Sequence, residues 1–263
     1  MNQILLAVLI IGGMGLLFGA LLGIAGKLFA VKVDERVPMI LEILPGANCG
    51  GCGYAGCSAY ANALAEGGVR PNMCPVGGTD AAEKISQILG VENDDKEKLV
   101  ARVLCNGTPE RALQKYIFDG PMDCYSANRL GGGEKICPHG CLGFGSCVKV
   151  CQFDAISIQN GVAVVDVEKC VACGACAKEC PKKIIKILPA KSKYTITCKS
   201  VEKGKVTRHD CIVGCIGCGI CAKNCPQEAI TVKDNLAAID PLKCINCGIC
   251  MEKCPQHAIN KID

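Results

Sequence analysis

Tryptophan is missing from this 263-residue chain, and phenylalanine and tyrosine are so scarce that aromatic residues make up only 4% of it. That excludes a large aromatic core, and small domains with thin cores need other staples. Phosphate-cradling frames are missing too. No G-x-G-x-x-G follows a strand pattern, and there is no P-loop. Gly131-Gly132-Gly133 lacks a strand–helix frame and reads as a turn. His139, His209 and His257 are scattered, at no telling spacing from an acid or a nucleophile. No catalytic constellation emerges.

Cysteine is what the chain has in excess, with 24 residues. Most fall in C-x2-C and C-x3-C-P arrays, which read as metal sites rather than disulfides. Such thiolates belong in a reducing compartment. The expected body is therefore a set of small domains nucleated by clusters. The formal charge of +4 counts every thiol as neutral. A [4Fe–4S] core on four thiolates carries about −2, so six of them would turn that charge to about −8. A nucleic-acid partner is not expected.

Ile4 to Gly26 carries no charge and is long enough to span a bilayer. Lys27, Lys32 and Arg36 follow it, whereas Met1-Asn2-Gln3 has no basic side chain. The positive-inside rule then places the rest of the chain on the cytoplasmic side of a cell membrane crossed once. A cleaved signal peptide would show a basic n-region and a shorter apolar run. Gly15, Gly19 and Gly23 share one helix face and suit close approach to another membrane helix.

A charged linker leads to Asn48-Cys-Gly-Gly-Cys-Gly-Tyr-Ala-Gly-Cys57, and Cys74-Pro75 follows. Cys49, Cys52, Cys57 and Cys74 are candidate ligands, three local and one remote. The glycines let the backbone wrap a cubane and aim N–H groups at its sulfurs. Zinc also accepts four thiolates; the glycine-rich wrap and the downstream runs favour iron–sulfur. Helices are expected over 55–66 and 80–89, closed by Gly67 and Gly90. A solvated boundary follows over 92–98, then a strand over 99–104.

The chain then repeats itself at an offset of 74 residues. Cys124, Cys137, Cys141, Cys147 and Cys151 fall on Cys198, Cys211, Cys215, Cys221 and Cys225. Cys170, Cys173, Cys176 and Cys180 fall on Cys244, Cys247, Cys250 and Cys254. Only Cys218 lacks a counterpart; Phe144 stands in its place. The second copy has the two-cluster ferredoxin pattern, in which the fourth Cys of each run ligates the other cluster. One set is then Cys215, Cys218, Cys221 and Cys254; the other is Cys244, Cys247, Cys250 and Cys225. In the first copy Cys170, Cys173 and Cys176 take Cys151. The remaining run is irregular, and Cys137 is expected to substitute at the Phe144 position, giving Cys137, Cys141, Cys147 and Cys180. Short strands are expected at Ile156, Ile185, Ile230 and Ile259, with hairpin partners over 161–167 and 235–240.

Five clusters use twenty cysteines and leave Cys105, Cys124, Cys198 and Cys211. Four is the number a sixth cubane needs; ordinary free thiols are the alternative. Cys211-x3-Cys215-x2-Cys218 imitates a radical-enzyme triad, but it sits inside a ferredoxin run with no room for a barrel. From Lys182 to His209 nine basic residues accompany one acid, Glu202. That run suits either an acidic redox partner or a solvated linker offsetting cluster charge.

An uncharged N-terminal helix, then Cys49-x2-Cys52-x4-Cys57-x16-Cys74, then ferredoxin repeats, resembles the electron-input iron–sulfur subunit of the Rnf complex, in its long form. Cys105-Asn-Gly, Asp123-Cys124 and Gly140-Cys141-Leu-Gly-Phe-Gly-Ser-Cys147 carry the same resemblance. The implied fold class is α+β: a transmembrane anchor (1–30), a small helical [4Fe–4S] domain (31–92), and two tandem ferredoxin repeats (93–195 and 196–263). The resemblance implies an electron-transfer component of an ion-translocating ferredoxin oxidoreductase. It would take electrons from reduced ferredoxin and pass them to flavin-bearing membrane partners that drive Na+ or H+ across the membrane. The other reading is a polyferredoxin-type carrier of a hydrogenase-like complex.

Overall fold

The computed structural model describes residues 2–28, 34–92 and 97–262. The boundary expected over 92–98 lies largely outside these residues, as does Lys32 of the charged linker. The first helix, α1 (Asn2–Leu28), stands alone. Its Val8–Leu28 stretch has a mean hydropathy of 2.4, is long and apolar enough to cross a membrane, and buries nothing against the rest of the chain.

A helical lobe follows. α2 (Arg36–Ile43), α3 (Cys57–Glu66) and α4 (Gly78–Leu89) close on Ile40, Tyr60, Leu64 and Ile85, all of which are buried. Each buried side chain of this size contributes about 1.5–3 kcal/mol, so this small core is thin. Gly67 ends α3 at φ 90°, and Gly90 ends α4 in the left-handed region at φ 66°. A 3-10 turn at Pro71–Met73 leads into Cys74, which lies near Cys52 and Cys49.

The first repeat runs β1 (Leu99–Val103), α5 (Cys124–Arg129), α6 (Ser146–Lys149), β2 (Ile156–Gln159), β3 (Val162–Val165), α7 (Ala175–Glu179) and β4 (Ile185–Pro189). β2 and β3 form a hairpin, and β1 pairs antiparallel with β4. The second repeat runs β5 (Tyr194–Ile196), α8 (Gly204–Asp210), α9 (Ile220–Lys223), β6 (Ile230–Lys233), β7 (Leu236–Ile239), α10 (Ile249–Glu252) and β8 (Ile259–Lys261). Its sheets match: β6 with β7 and β5 with β8. The two cores are built from Ile, Val, Ala and the cysteines themselves. Gly143 and Gly217 show how close the copies are. A Cβ on Gly143 would stand 2.8 Å from the Gly161 carbonyl oxygen, and one on Gly217 2.7 Å from that of Asn235. Both pairs are 74 residues apart.

The strand registers add a length difference that the cysteine alignment hides. Val103 pairs with Ile185, and Ile196 pairs with Ile259. Ile185 and Ile259 are 74 apart, whereas Val103 and Ile196 are 93 apart. The first copy therefore carries an insertion after β1. It runs between the repeats. Leu113 N–H donates to the Asp210 carbonyl (2.9 Å) and Ile212 N–H to that of Arg111 (2.9 Å), while Ile136 N–H donates to the Leu113 carbonyl (2.8 Å). The inserted segment thus stitches residues 134–136 of one copy to residues 210–212 of the other.

Candidate metal centres

Tight turns bring the cysteines into groups of four. In the helical lobe Asn48 holds the wrap: its Oδ1 accepts from Cys57 N–H (2.8 Å) and its Nδ2 donates to the Gly46 carbonyl (3.1 Å). Burial pushes the Cys74 thiol up, the Gly77 and Val76 amides pull it back, and the neighbouring Cys52 and Cys49 push it up again. Tyr60 hydroxyl donates to the Arg70 carbonyl (2.7 Å) and accepts from Met73 N–H (3.2 Å), which fixes the approach to Cys74.

Four cavities in the repeats are each lined by four cysteines. Cys215, Cys218, Cys221 and Cys254 line one, and Cys225, Cys244, Cys247 and Cys250 line another. The structure thus brings together both quartets that the second-copy spacing put together. Cys151, Cys170, Cys173 and Cys176 also converge: burial pushes the Cys176 thiol up to about 11, with Cys173, Cys170 and Cys151 all adding to it.

The other two cavities differ from the sequence expectation by one exchange. Cys124, not Cys137, joins Cys141, Cys147 and Cys180. Cys137 instead joins Cys105, Cys198 and Cys211. Mutual charge agrees with the cavities. Burial pushes Cys147 up to about 12, and the nearby Cys141, Cys124, Cys180 and Cys176 push it the same way. Cys137 is pushed up by burial and by Cys105 and Cys211. The reason for the exchange is the insertion. It carries Cys124 round to α6, where Cys124 N–H donates to the Ser146 hydroxyl oxygen (2.9 Å), and Asp123 caps the new helix by accepting from Ser126 N–H (2.9 Å). Phe118, from the same insertion, packs on Phe144 with ring centroids 5.2 Å apart.

The Cys105 group has an internal symmetry. Leu104 N–H donates to the Ile184 carbonyl (2.7 Å) and Thr197 N–H to the Ala258 carbonyl (2.9 Å). Cys105 is therefore the counterpart of Cys198, each two residues beyond its strand, and Cys137 is the counterpart of Cys211. Each repeat gives the same two cysteines. Each also gives the same amide. Cys141 N–H donates to the Cys105 sulfur (3.3 Å), and the Cys215 amide does the same for Cys198.

These pockets suit one kind of occupant. Their empty space, open mouths included, is about 430, 370, 360 and 360 Å³. Among the described residues no group of three or more His, Cys, Asp or Glu converges as a single metal ion requires. Soft thiolates spread round a void fit a multi-iron cluster better than zinc. Backbone amides point at the sulfurs: Ala155 at Cys151 (3.4 Å), Ala229 at Cys225 (3.3 Å), Ala258 at Cys254 (3.4 Å) and Ala101 at Cys170 (3.3 Å). Such N–H···S bonds stabilise sulfur charge and tune potential.

Among the described residues two cations are buried, and no motif announces them. Lys135, 7% exposed, donates from Nζ to the carbonyls of Cys141 (2.7 Å) and Gly161 (3.1 Å). Arg102, 3% exposed on β1, has Nε and Nη1 without hydrogen-bond partners and lies within reach of the Cys170 charge. Nothing in the local sequence distinguishes either from a surface residue. The basic run of 182–209 is not one open patch. Lys199 Nζ turns inward to the Lys183 carbonyl, and Lys191 pairs with Glu97 (3.0 Å).

The chain matches known families over three stretches: "Putative Fe-S cluster" over 44–76, "4Fe-4S binding domain" over 163–186 and "4Fe-4S dicluster domain" over 214–258. It is 47% identical over 241 residues to the B-subunit of the Na(+)-translocating ferredoxin:NAD(+) oxidoreductase complex of Acetobacterium woodii, covering 91% of this chain and 72% of that one. Identity to the B-subunit of the proton-translocating ferredoxin:NAD(+) oxidoreductase complex of Clostridium ljungdahlii is 41% over 242 residues, covering 91% and 85%. Identity to the B-subunit of the ion-translocating oxidoreductase complex of Methanosarcina acetivorans is 41% over 245 residues, covering 92% and 93%.

Proposed function

Because the chain belongs to the B-subunit family of Rnf-type ion-translocating oxidoreductase complexes, we propose that it is the wire through which electrons from reduced ferredoxin reach flavin-bearing partners in the membrane. It anchors by α1 with its iron–sulfur domains on the cytoplasmic side. It holds six [4Fe–4S] clusters. Their ligands are Cys49, Cys52, Cys57 and Cys74; Cys151, Cys170, Cys173 and Cys176; Cys124, Cys141, Cys147 and Cys180; Cys105, Cys137, Cys198 and Cys211; Cys215, Cys218, Cys221 and Cys254; and Cys225, Cys244, Cys247 and Cys250.

The observation that carries this reading is the continuity of the quartets. Cys173 neighbours Cys49 of the helical lobe. Cys147 neighbours Cys176. The Cys105 group touches the quartet on either side through one amide each, from Cys141 and from Cys215. Bound clusters supply one-electron redox chemistry; the chain's own residues fix their order, exclude water and place N–H groups on their sulfurs. Iron and sulfide analysis of anaerobically purified protein tests the count. About 24 Fe per chain is expected, four for each cubane; about 20 in fully loaded protein would remove the Cys105 cluster.

A further inference from the structure

The two repeats put one and the same surface to different uses. In the first, the Cys173 face is covered. A Cβ on Gly51 would meet the Cys173 Cα at 3.1 Å and its carbonyl oxygen at 3.2 Å, so the helical lobe sits directly on it. Val171, Ala172 and Cys173 are only half-exposed. Seventy-four residues later the equivalent face is open. Cys247 is exposed, Ile245 is 59% exposed and Leu242 is 84% exposed. The backbone is the same in both, since Ala172 and Asn246 take left-handed φ values of 56° and 58°. The side chains differ: Ile245 stands where the first copy has the half-covered Val171, and Leu242 where it has Glu168, which stays exposed beside the lobe.

A basic rim borders this apolar face. Lys243 is exposed. The loop bearing exposed Lys193 is clamped beside it, with Lys193 N–H donating to Asn246 Oδ1 (2.9 Å) and Asn246 Nδ2 to the Lys191 carbonyl (3.0 Å). Lys191 pairs with Glu97, so the rim's free charge rests on Lys193 and Lys243.

We propose that Leu242, Ile245 and Cys247 form the docking face for a small acidic iron–sulfur carrier, which takes on the second repeat the place that residues 44–76 take on the first. The inference rests on the electron-transfer reading above and gives the wire its input end. One electron leaves the carrier's reduced cluster, which is oxidised. It enters the group held by Cys225, Cys244, Cys247 and Cys250, which is reduced; no bond and no proton moves. An apolar centre sets the close approach, and the lysine rim steers the encounter.

The test uses the full chain in detergent with its clusters loaded. Oxidised acidic two-cluster ferredoxin is cross-linked to it with a zero-length carbodiimide, and the bonds are mapped by peptide mass spectrometry. Reduction by the same ferredoxin, pre-reduced, is followed by stopped flow, with dithionite as the small reductant for comparison. Cross-links are expected at Lys193 and Lys243. In the Leu242→Glu/Ile245→Glu variant they should disappear, and reduction by ferredoxin at low salt should slow about tenfold while dithionite reduction stays the same. If that variant loses iron, Lys193→Glu/Lys243→Glu, on exposed side chains, is read by its rate of reduction by ferredoxin against dithionite alone, since it lacks the amines that cross-link. Cross-links gathered on Lys203 and Lys205 instead, or variants reduced as fast as the parent, would overturn the docking face and leave the electron-transfer reading intact. A parent protein that dithionite reduces, but that ferredoxin neither binds nor reduces, would overturn both.

Discussion

Adding a single methyl group at Gly51 should loosen the helical lobe from the first repeat. The new Cβ would stand 3.1 Å from the Cys173 Cα and 3.2 Å from its carbonyl oxygen, with Pro75 Cγ at 2.8 Å on the lobe's own side. Carbon contacts are comfortable at about 3.5–4.0 Å, so the surfaces must part by about half an ångström. The proline ring can pucker away; the Cys173 backbone, fixed by its turn, cannot. Overpacking of this kind costs about 1–3 kcal/mol. At about 1.4 kcal/mol per tenfold, docking weakens by about 5- to 150-fold. In Gly51→Ala the iron content should stay as in the parent, because no ligand changes. Hydrogen exchange at residues 171–174 should rise as the face uncovers, and magnetic coupling between the Cys49 and Cys173 clusters should weaken in spectra of the reduced protein. Unchanged exchange and coupling would refute the close contact. Loss of about four iron atoms would show that the methyl acts on the lobe's own cluster and not on docking.

Three further outcomes follow from the same geometry. Cys124→Ala should remove the cluster of Cys141, Cys147 and Cys180, whereas Cys137→Ala should spare it and remove that of Cys105, Cys198 and Cys211, each losing about four iron atoms; the reverse pattern in spectra of the two variants would restore the ligand sets that spacing suggests. Arg102→Met should lower the potential of the cluster at Cys170, on the order of tens of millivolts, because a buried positive charge favours the more negative reduced state; a redox titration with no shift would free Arg102 of that role. Deleting residues 1–30 should release a soluble protein with the parent's iron content, since no cysteine precedes Cys49; tight membrane binding by the truncated chain in the absence of its partners would count against α1 as the anchor.

Much of the site could be read from spacing because a cubane demands local geometry. C-x2-C-x2-C fixes three sulfurs on one turn whatever surrounds them, and the 74-residue offset carried the pattern to the second copy. The helices expected over 55–66 and 80–89 and the strand expected over 99–104 stand at 57–66, 78–89 and 99–103, and alanine content and the closing glycines made the two helices legible. Cys124 and Cys137 were not. Their places depend on strand pairing across the chain, where the offset is 93 residues and not 74, and an ungapped alignment of cysteines conceals the difference. The buried cations were invisible for a similar reason. Arg102 sits in a five-residue strand whose burial is decided by β4 and by the cluster wall, not by its neighbours in sequence.

The pairing of Cys105 with Cys198 and Cys137 with Cys211 has a consequence for how the protein is made. A group held by all four cannot be completed until Cys211 has left the ribosome, after Cys180 has closed the first repeat's own groups. Its insertion therefore waits on the start of the second repeat, whereas the two groups beyond it, which need Cys250 and Cys254, are completed later still. A full chain left without that group would hold two competent halves with a gap between them, conducting on each side and carrying nothing across.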